Sequence, residues 1–297
     1  MTPILEARQV RKEFVVGGGM LSPRRRLVAV DDVDLHIEPG EILALVGESG
    51  SGKTTLGRLL LGMTRPTAGT IVFESRPLQG RDRRTFHTFR RRVQPIFQDP
   101  YSSLDPRWPV RRTIREPLDA YKVGSPGERD EMVLRLLEDV GLSRRLADSR
   151  PHELSGGQRQ RVAVAAALAL EPDVIVADEP TSALDVLVQA QILNLLARLQ
   201  RERGVAFLLI THNIGVVEHL ADRVAVMYLG RIVEEGPAAE LMRAPQHPYT
   251  VTLLDAVPRP DPSRRMRAPA PGASGAAEPA PAAEPLPGGA PPDQGGL

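Results

Sequence analysis

Short apolar runs bounded by Gly, Pro and polar residues alternate along this chain with longer stretches of helical periodicity. Ile4 to Phe14 alternates as a strand does, Gly17 to Arg26 (GGGMLSPRRR) interrupts as a loop, and apolar positions resume at Val28. Val33 to Ile37 and Glu41 to Val46 read as strands joined by a Glu-Pro-Gly turn, and Gly69 to Phe73 as a further strand. Thr54 to Gly62 has the spacing of a helix. Val93 to Phe97 reads as a strand ending at Gln98, followed by a proline-punctuated loop from Asp99 to Arg107. Val110 to Leu146 carries helical periodicity with breaks expected at Gly124 to Gly127 and at Gly141, so a helical insertion is expected within an α/β core. Leu154 to Gln158 (LSGGQ) opens a helix reaching about Leu170. Val174 to Asp178 and Ala206 to Ile210 are continuous apolar runs, the pattern of strands covered on both faces, with an amphipathic helix from Val186 to Arg203 between them. Val224 to Tyr228 and Arg231 to Glu234 form a hairpin across Leu229-Gly230. From Pro258 onward Pro, Ala and Gly dominate, and a disordered tail is expected.

The junction between the Glu41–Val46 strand and the following helix changes this from a fold reading to a chemical one. Gly47-Glu48-Ser49-Gly50-Ser51-Gly52-Lys53-Thr54-Thr55 fits the phosphate-binding P-loop: a glycine, four free positions, then Gly-Lys-Ser/Thr. Its glycines let the backbone turn tightly, so that successive N–H groups converge on phosphate oxygens at the positive end of the helix. Lys53 would reach the β- and γ-phosphates of a nucleotide, and the Thr54 hydroxyl would coordinate Mg²⁺. The chain has only three lysines, Lys12, Lys53 and Lys122, and one stands where a compact ammonium is needed rather than a planar fork.

Composition narrows the partners. The chain has 297 residues, room for one large α/β domain or a core with an inserted smaller one. With 38 Lys plus Arg against 37 Asp plus Glu, no overall field points to nucleic acid. The arginine-dense stretch Gly80 to Arg92 (GRDRRTFHTFRRR) reads as a solvated basic face, with nucleic-acid contact as the sharper alternative, and Phe86 and Phe89 are spaced to pack a helix. The absence of cysteine removes disulfides, thiol catalysis and cysteine-ligated metals, and suits a reducing compartment. The N-terminus lacks an apolar run of signal-peptide length, and the most apolar stretch, Val162 to Leu170, is too short to cross a bilayer. A cytoplasmic protein, soluble or peripheral, is expected.

Hydrolysis of a nucleotide triphosphate also needs a metal-holding acid, a group that orients water, and donors around the γ-phosphate. Asp178 and Glu179 end a hydrophobic strand at the edge where α/β ligand sites gather: Asp178 to hold Mg²⁺, Glu179 to polarise the lytic water. Taken alone, the pair could equally cap the next helix, His212 could be structural, Gln98 a loop amide and Phe14 a core aromatic. Their joint order decides. P-loop, Gln98, Leu154-Ser155-Gly156-Gly157-Gln158, Asp178-Glu179, Ser182-Ala183-Leu184-Asp185 and His212 stand as they do in the ATP-binding cassette (ABC) ATPases, which the chain resembles from about Ile4 to Gly236.

The resemblance implies a P-loop NTPase core with an N-terminal antiparallel β region and a helical subdomain inserted at about residues 99–170. It implies ATP and Mg²⁺, with Gln98 reaching the metal and sensing the γ-phosphate, His212 holding that phosphate, Glu179 as base and Phe14 stacking on adenine. Asp185 would lie on the loop crossing to a second cassette. Ser155, Gly156, Gly157 and Gln158, at a helix N-terminus, would bind the ATP held by the opposite protomer, so one chain cannot complete a site. Residues 237–260, with Gln246-His247-Pro248-Tyr249-Thr250 and Leu253 to Pro258, look like the C-terminal extension of oligopeptide and dipeptide importer ATPases, as does Phe97 to Arg107 (FQDPYSSLDPR). Some members carry a cysteine-ligated iron–sulfur cluster there, which a chain without cysteine cannot bind. The expectation is therefore an ATPase subunit on the cytoplasmic face of the inner membrane. Its partners would be two permeases, a second cassette (a companion chain or a copy) and, indirectly, an extracytoplasmic solute-binding protein, with no nucleic acid. The alternative is a non-transport ABC ATPase acting on nucleic acid or ribosomes. Such proteins usually carry two cassettes or a long coiled coil, and aromatics here are only 4%.

Overall fold

The structure, a computed structural model, describes residues 2–16, 25–78, 82–99, 104–182 and 184–256. Parts of two expected loops (17–24 and 100–103, including Tyr101), Ala183 and the expected disordered tail lie outside the described residues.

Two sheets organise the molecule. Strands β1 (Leu5–Val16), β2 (Arg25–Ile37), β4 (Ala68–Phe73) and β5 (Arg76–Pro77) form an antiparallel sheet in the order β2-β1-β4-β5. The second sheet has the order β10-β9-β3-β8-β7-β6, from β3 (Ile42–Val46), β6 (Val93–Ile96), β7 (Val174–Asp178), β8 (Ala206–Ile210), β9 (Arg223–Tyr228) and β10 (Arg231–Pro237). All its pairings are parallel except β9 with β10. Every residue of β3 and β8 is buried, which is why these strands are unbroken apolar runs: a parallel sheet is covered on both faces.

Helix α1 (Lys53–Leu60) lies between the sheets, with Leu56, Leu59 and Leu60 in one core with Leu43 and Leu45 of β3 and Leu5, Val10 and Ile37 of the antiparallel sheet. The arginine-dense stretch becomes α2 (Arg83–Arg92), N-capped by Asp82. Its Phe89 is fully buried edge-on against Phe73 at 5.5 Å, while Arg92 leaves the helix end to pair with Glu74 (2.7 Å) and Asp173. The spacing of Phe86 and Phe89 thus served packing.

The other face of the parallel sheet carries the helical insertion: α3 (Val110–Ala120), α4 (Pro126–Asp139), two 3₁₀ turns and the start of α5 (Gly156–Leu168). The break expected at Gly124–Gly127 falls instead at Tyr121–Ser125. Lys122 and Gly124 turn with positive φ, and Ser125 and Glu128 close a capping box with Pro126 in the first helical turn, so Pro126 and Gly127 start the helix. Val33–Ile37 is likewise the end of the 13-residue β2 and not a separate strand.

Helix α6 (Val186–Arg203) follows β7 and ends at Gly204 in the left-handed conformation. Three shorter helices complete the described chain: α7 (Ile214–Leu220), α8 (Ala238–Arg243) and α9 (Pro248–Asp255). They pack as a third core, in which Val217, Leu241 and Leu254 meet Ala44, Val46, Val224 and Val226. The C-terminal segment is therefore seated on the β3–β9 part of the parallel sheet.

Candidate active site

Gly47 leaves β3 with φ 150° and Gly52 enters α1 with φ 108°, and both are hemmed in. A Cβ on Gly47 would stand 2.1 Å from the Met227 carbonyl oxygen of β9, and one on Gly52 would stand 2.2 Å from the Ala29 carbonyl oxygen of β2. Only glycine fits at either position.

The outward groups of the loop are tied down one by one. The Gly230 N–H, in the β9–β10 turn, donates to the Ser51 carbonyl (2.9 Å), and the Ser51 N–H donates to that of Glu48 (3.2 Å). Lys53, buried, gives its ammonium protons to the carbonyls of Gly47 (2.8 Å) and Glu48 (2.7 Å) and to Ser51 Oγ (3.3 Å). The N–H groups of Ser49, Gly50 and Gly52 meet no acceptor among the described residues. With the first N–H groups of α1 at Lys53, Thr54 and Thr55, they form a concave donor surface suited to an anion. Burial pulls the Lys53 pKa down, opposed by the charges of Glu179, Asp178 and Glu48.

Strands β7 and β8 carry the acids and the histidine to the same edge. Asp178 ends β7, and its Oδ1 accepts from Thr54 Oγ1 (3.3 Å). Burial is the main cause of its raised pKa, with the neighbouring Glu179 adding to the rise and Thr54, Arg58 and Lys53 opposing it. Two hard oxygen donors this close, one a half-buried carboxylate whose ionised form lacks solvation, suit a small divalent cation completed by phosphate oxygens and water. Among the described residues no cluster of three or more His, Cys, Asp or Glu could hold a metal ion unaided.

Glu179 adopts a left-handed φ of 44°, a conformation that costs a non-glycine residue about 1–3 kcal/mol. It is held there by its N–H on the Ile210 carbonyl (2.9 Å) and by Ser182, whose N–H and Oγ both donate to the Glu179 carbonyl (3.3 and 3.2 Å). The side chain is held as firmly. Gln98 Nε2 donates to Oε2 (2.9 Å) and His212 Nδ1 lies 2.8 Å from Oε1. His212 faces solvent over a cavity of about 160 Å³ lined by Glu179, Thr181, Ser182 and Gln189.

The structure thus brings together the P-loop, Asp178, Glu179, Gln98 and His212. Among the described residues it joins none of the remaining candidates to them by a hydrogen bond. Ser155 caps α5 in a reciprocal box with Gln158, and a Cβ on Gly157 would meet Val188 of α6 at 2.4 Å. Asp185 caps α6 through the Val188 N–H (3.0 Å), so this aspartate already has a local structural task. No hydrogen bond joins Ser155, Gly156, Gly157 or Gln158 to the P-loop among the described residues. Phe14 is 40% exposed near the end of β1, its ring covered by Lys12 Nζ at 5.2 Å.

The family follows from the chain as a whole. A model of the ABC transporter family matches residues 30–182, spanning the P-loop, signature and acid pair. The chain belongs to the ABC transporter family. A second model, "oligopeptide/dipeptide transporter, C-terminal region", matches residues 233–283. Among curated relatives, the dipeptide transport ATP-binding protein DppF of Escherichia coli is 46% identical over 89% of this ABC chain and 79% of its own length. The glutathione import ATP-binding protein GsiA of Pectobacterium atrosepticum is 50% identical over 89% of this chain, which spans only 43% of that relative. Among solved structures, a dimeric ATP-binding cassette bound to ADP and Pi superposes with a TM-score of 0.70 at 31% identity, over 79% of this chain and 98% of the other. The ABC ATPase fold is thereby shown, and with it the α/β core and inserted helices expected from the sequence.

One contact of this cassette was not anticipated: Tyr249, quoted above only as part of a C-terminal motif, places its hydroxyl on the P-loop. Nothing local in the sequence signals a partner 201 residues away.

Proposed function

We propose that this ABC ATPase powers import of dipeptides, oligopeptides or a related small solute through partner permeases. The observation that carries the catalytic assignment is the Glu179 carboxylate, held from both sides by Gln98 and His212 beside the Thr54–Asp178 pair. The P-loop N–H groups and Lys53 take the β- and γ-phosphates of ATP, and Phe14 takes the adenine. Thr54, Asp178 and Gln98 would hold Mg²⁺, which when bound would supply positive charge against the negative charge of the phosphates. Glu179 accepts a proton from water as the water oxygen attacks the γ-phosphorus, ADP leaves, and His212 steadies the transferred phosphoryl oxygens.

The signature residues Ser155–Gln158 and the likeness to a dimeric solved cassette support a second cassette that offers its signature across an interface. A cleft of about 320 Å³ between β6 and the helical insertion, lined by Phe97, Leu104, Trp108 and Glu116 among others, suits a cytoplasmic helix of a permease. Trp108 is fixed there under the Arg112 guanidinium at 4.2 Å. Among the described residues no helix is long and apolar enough to cross a membrane. Peripheral attachment at the cytoplasmic face is inferred from the likeness to transport ATP-binding proteins. The peptide assignment rests on the named relatives and the C-terminal match.

The test is uptake of a labelled dipeptide into proteoliposomes holding the permeases, this chain and its companion cassette, with the solute-binding protein supplied on the substrate side. Uptake should need ATP and vanish with Lys53→Ala. Robust ATP hydrolysis with no peptide-stimulated uptake would overturn the peptide reading while leaving the ATPase intact.

A further inference from the structure

The Glu48 N–H of the P-loop has a partner from the far end of the described chain. The Glu48 N–H donates to Tyr249 Oη at 2.8 Å. A series of contacts fixes Tyr249. The Glu234 carboxylate of β10 accepts the N–H groups of Gln246 (2.8 Å) and His247 (3.0 Å). His247 Nδ1 then caps α9 through the Tyr249 N–H (3.2 Å). The Tyr249 ring stacks on Tyr228, centroids 4.1 Å apart, at the end of the strand whose Met227 carbonyl abuts Gly47.

We infer that Tyr249 is a positioning residue of the P-loop, and that the C-terminal segment 234–255 is thereby part of the nucleotide site. The inference rests on the ATP-binding reading above. Glu48 is the pivot: its carbonyl accepts from Lys53 Nζ and the Ser51 N–H, and its peptide N–H donates to Tyr249 Oη. A peptide plane held at one atom can rotate, whereas the Gly47–Glu48 plane is held at both, its C=O by Lys53 Nζ (2.8 Å) and its N–H by Tyr249 Oη, which keeps Lys53 and the following turn in register. The hydroxyl is not needed for packing. The ring is already held by Tyr228, and Leu254 and Thr250 anchor the helix face below it. What the oxygen adds is order in the loop before nucleotide arrives, which lowers the entropy lost on binding.

Tyr249→Phe in the full-length chain tests this, since it keeps the ring stack and deletes the acceptor. Loss of one neutral hydrogen bond should raise the Kd for Mg-ATP about three- to tenfold. Turnover at saturating ATP and the melting temperature should stay at wild-type values, and amide exchange of the P-loop peptide should quicken. Tyr228→Phe, which keeps both rings and removes a hydroxyl with no partner on the loop, should leave Kd unchanged. An unchanged Kd in Tyr249→Phe overturns the inference, whether or not its melting temperature falls, because the contact would then be structural only. Failure of the underlying reading would look different: wild type itself would not bind Mg-ATP, or Lys53→Ala would bind as well as wild type.

Discussion

Replacing Glu179 by Gln isolates the step assigned to its carboxylate. The amide is isosteric, so the left-handed backbone and its bonds to Ile210 and Ser182 persist. On the side chain, the amide oxygen still accepts from Gln98, and its NH₂ meets an imidazole that can turn Nδ1 into an acceptor by changing tautomer. The constellation survives while the proton acceptor is lost. A positioned general base contributes about 10²–10⁴-fold, or roughly 2.7–5.4 kcal/mol of barrier at 1.36 kcal/mol per decade. Phosphate release should fall by that factor with Mg-ATP affinity unchanged within about twofold. The orienting contact can be read in the same assay. Gln98→Ala removes a hydrogen bond to a charged group, but Gln98 is exposed and solvent screens it, so about fivefold is expected in kcat. In the Glu179→Gln background the charge that Gln98 orients is gone, and the same substitution should have a smaller effect, a coupling of at least about 0.5 kcal/mol in the double-mutant cycle. Hydrolysis by Glu179→Gln within about threefold of wild type, well short of the base contribution, would refute the base assignment. Strict additivity would refute orientation by Gln98.

Other outcomes can be measured directly. Burial raises the Asp178 pKa, so the folded chain keeps a proton that the unfolded chain releases; stability is lost as pH climbs from the ordinary carboxylate value to the raised one, and the loss is complete above it. Asp178→Asn, neutral throughout, should therefore melt a few degrees higher than wild type at pH 7 without nucleotide, yet lose Mg²⁺-dependent hydrolysis by about 10²-fold or more; a lower melting point would contradict the desolvation argument. Ser155→Arg should leave ATP affinity of the single chain unchanged but prevent Mg-ATP-dependent dimers of the Glu179→Gln form, with its companion cassette if one is needed, as read by light scattering; persistent dimers would refute the signature's role across the interface. Gly52→Ala adds a methyl 2.2 Å from the Ala29 carbonyl at φ 108°, and should abolish measurable Mg-ATP binding; affinity near wild type would show that the loop can relax.

The elements read most accurately from sequence were those with one dominant burial pattern. Val174–Asp178, Val186–Arg203 and Ala206–Ile210 coincide with β7, α6 and β8 residue for residue, because both faces of those strands are covered and the helix has a left-handed glycine stop. Helices α7 and α8, seven and six residues long, were not anticipated, since so short a segment shows less than two full turns of periodicity. The break before α4 lies upstream of the Gly124–Gly127 position that Pro and Gly suggest, because Pro126 and Gly127 follow a Ser N-cap and so open the helix. At the site, residue types and order pointed to Lys53, Thr54, Asp178, Glu179, Gln98 and His212, the residues proposed above to act on nucleotide, because their chemistry is intrinsic. Tyr249, Gly230 and Met227 act on the loop through backbone atoms or a single hydroxyl. Their part depends on tertiary register, which no local pattern records.

The tight seating of Gly47 and Gly52 has a mechanical consequence. Gly47 packs on the Met227 carbonyl of the parallel sheet, and Gly52 packs on both the Ala29 carbonyl of the antiparallel sheet and the Met227 side chain, so the phosphate loop is wedged where two different slabs of the protein meet. The loop is in effect a gauge of their alignment: any slip between slabs changes its aperture, and a polyphosphate filling that aperture resists the slip. Nucleotide occupancy should then slow amide exchange in β2 as well as in β9, stiffening a hinge line far broader than the few atoms it touches.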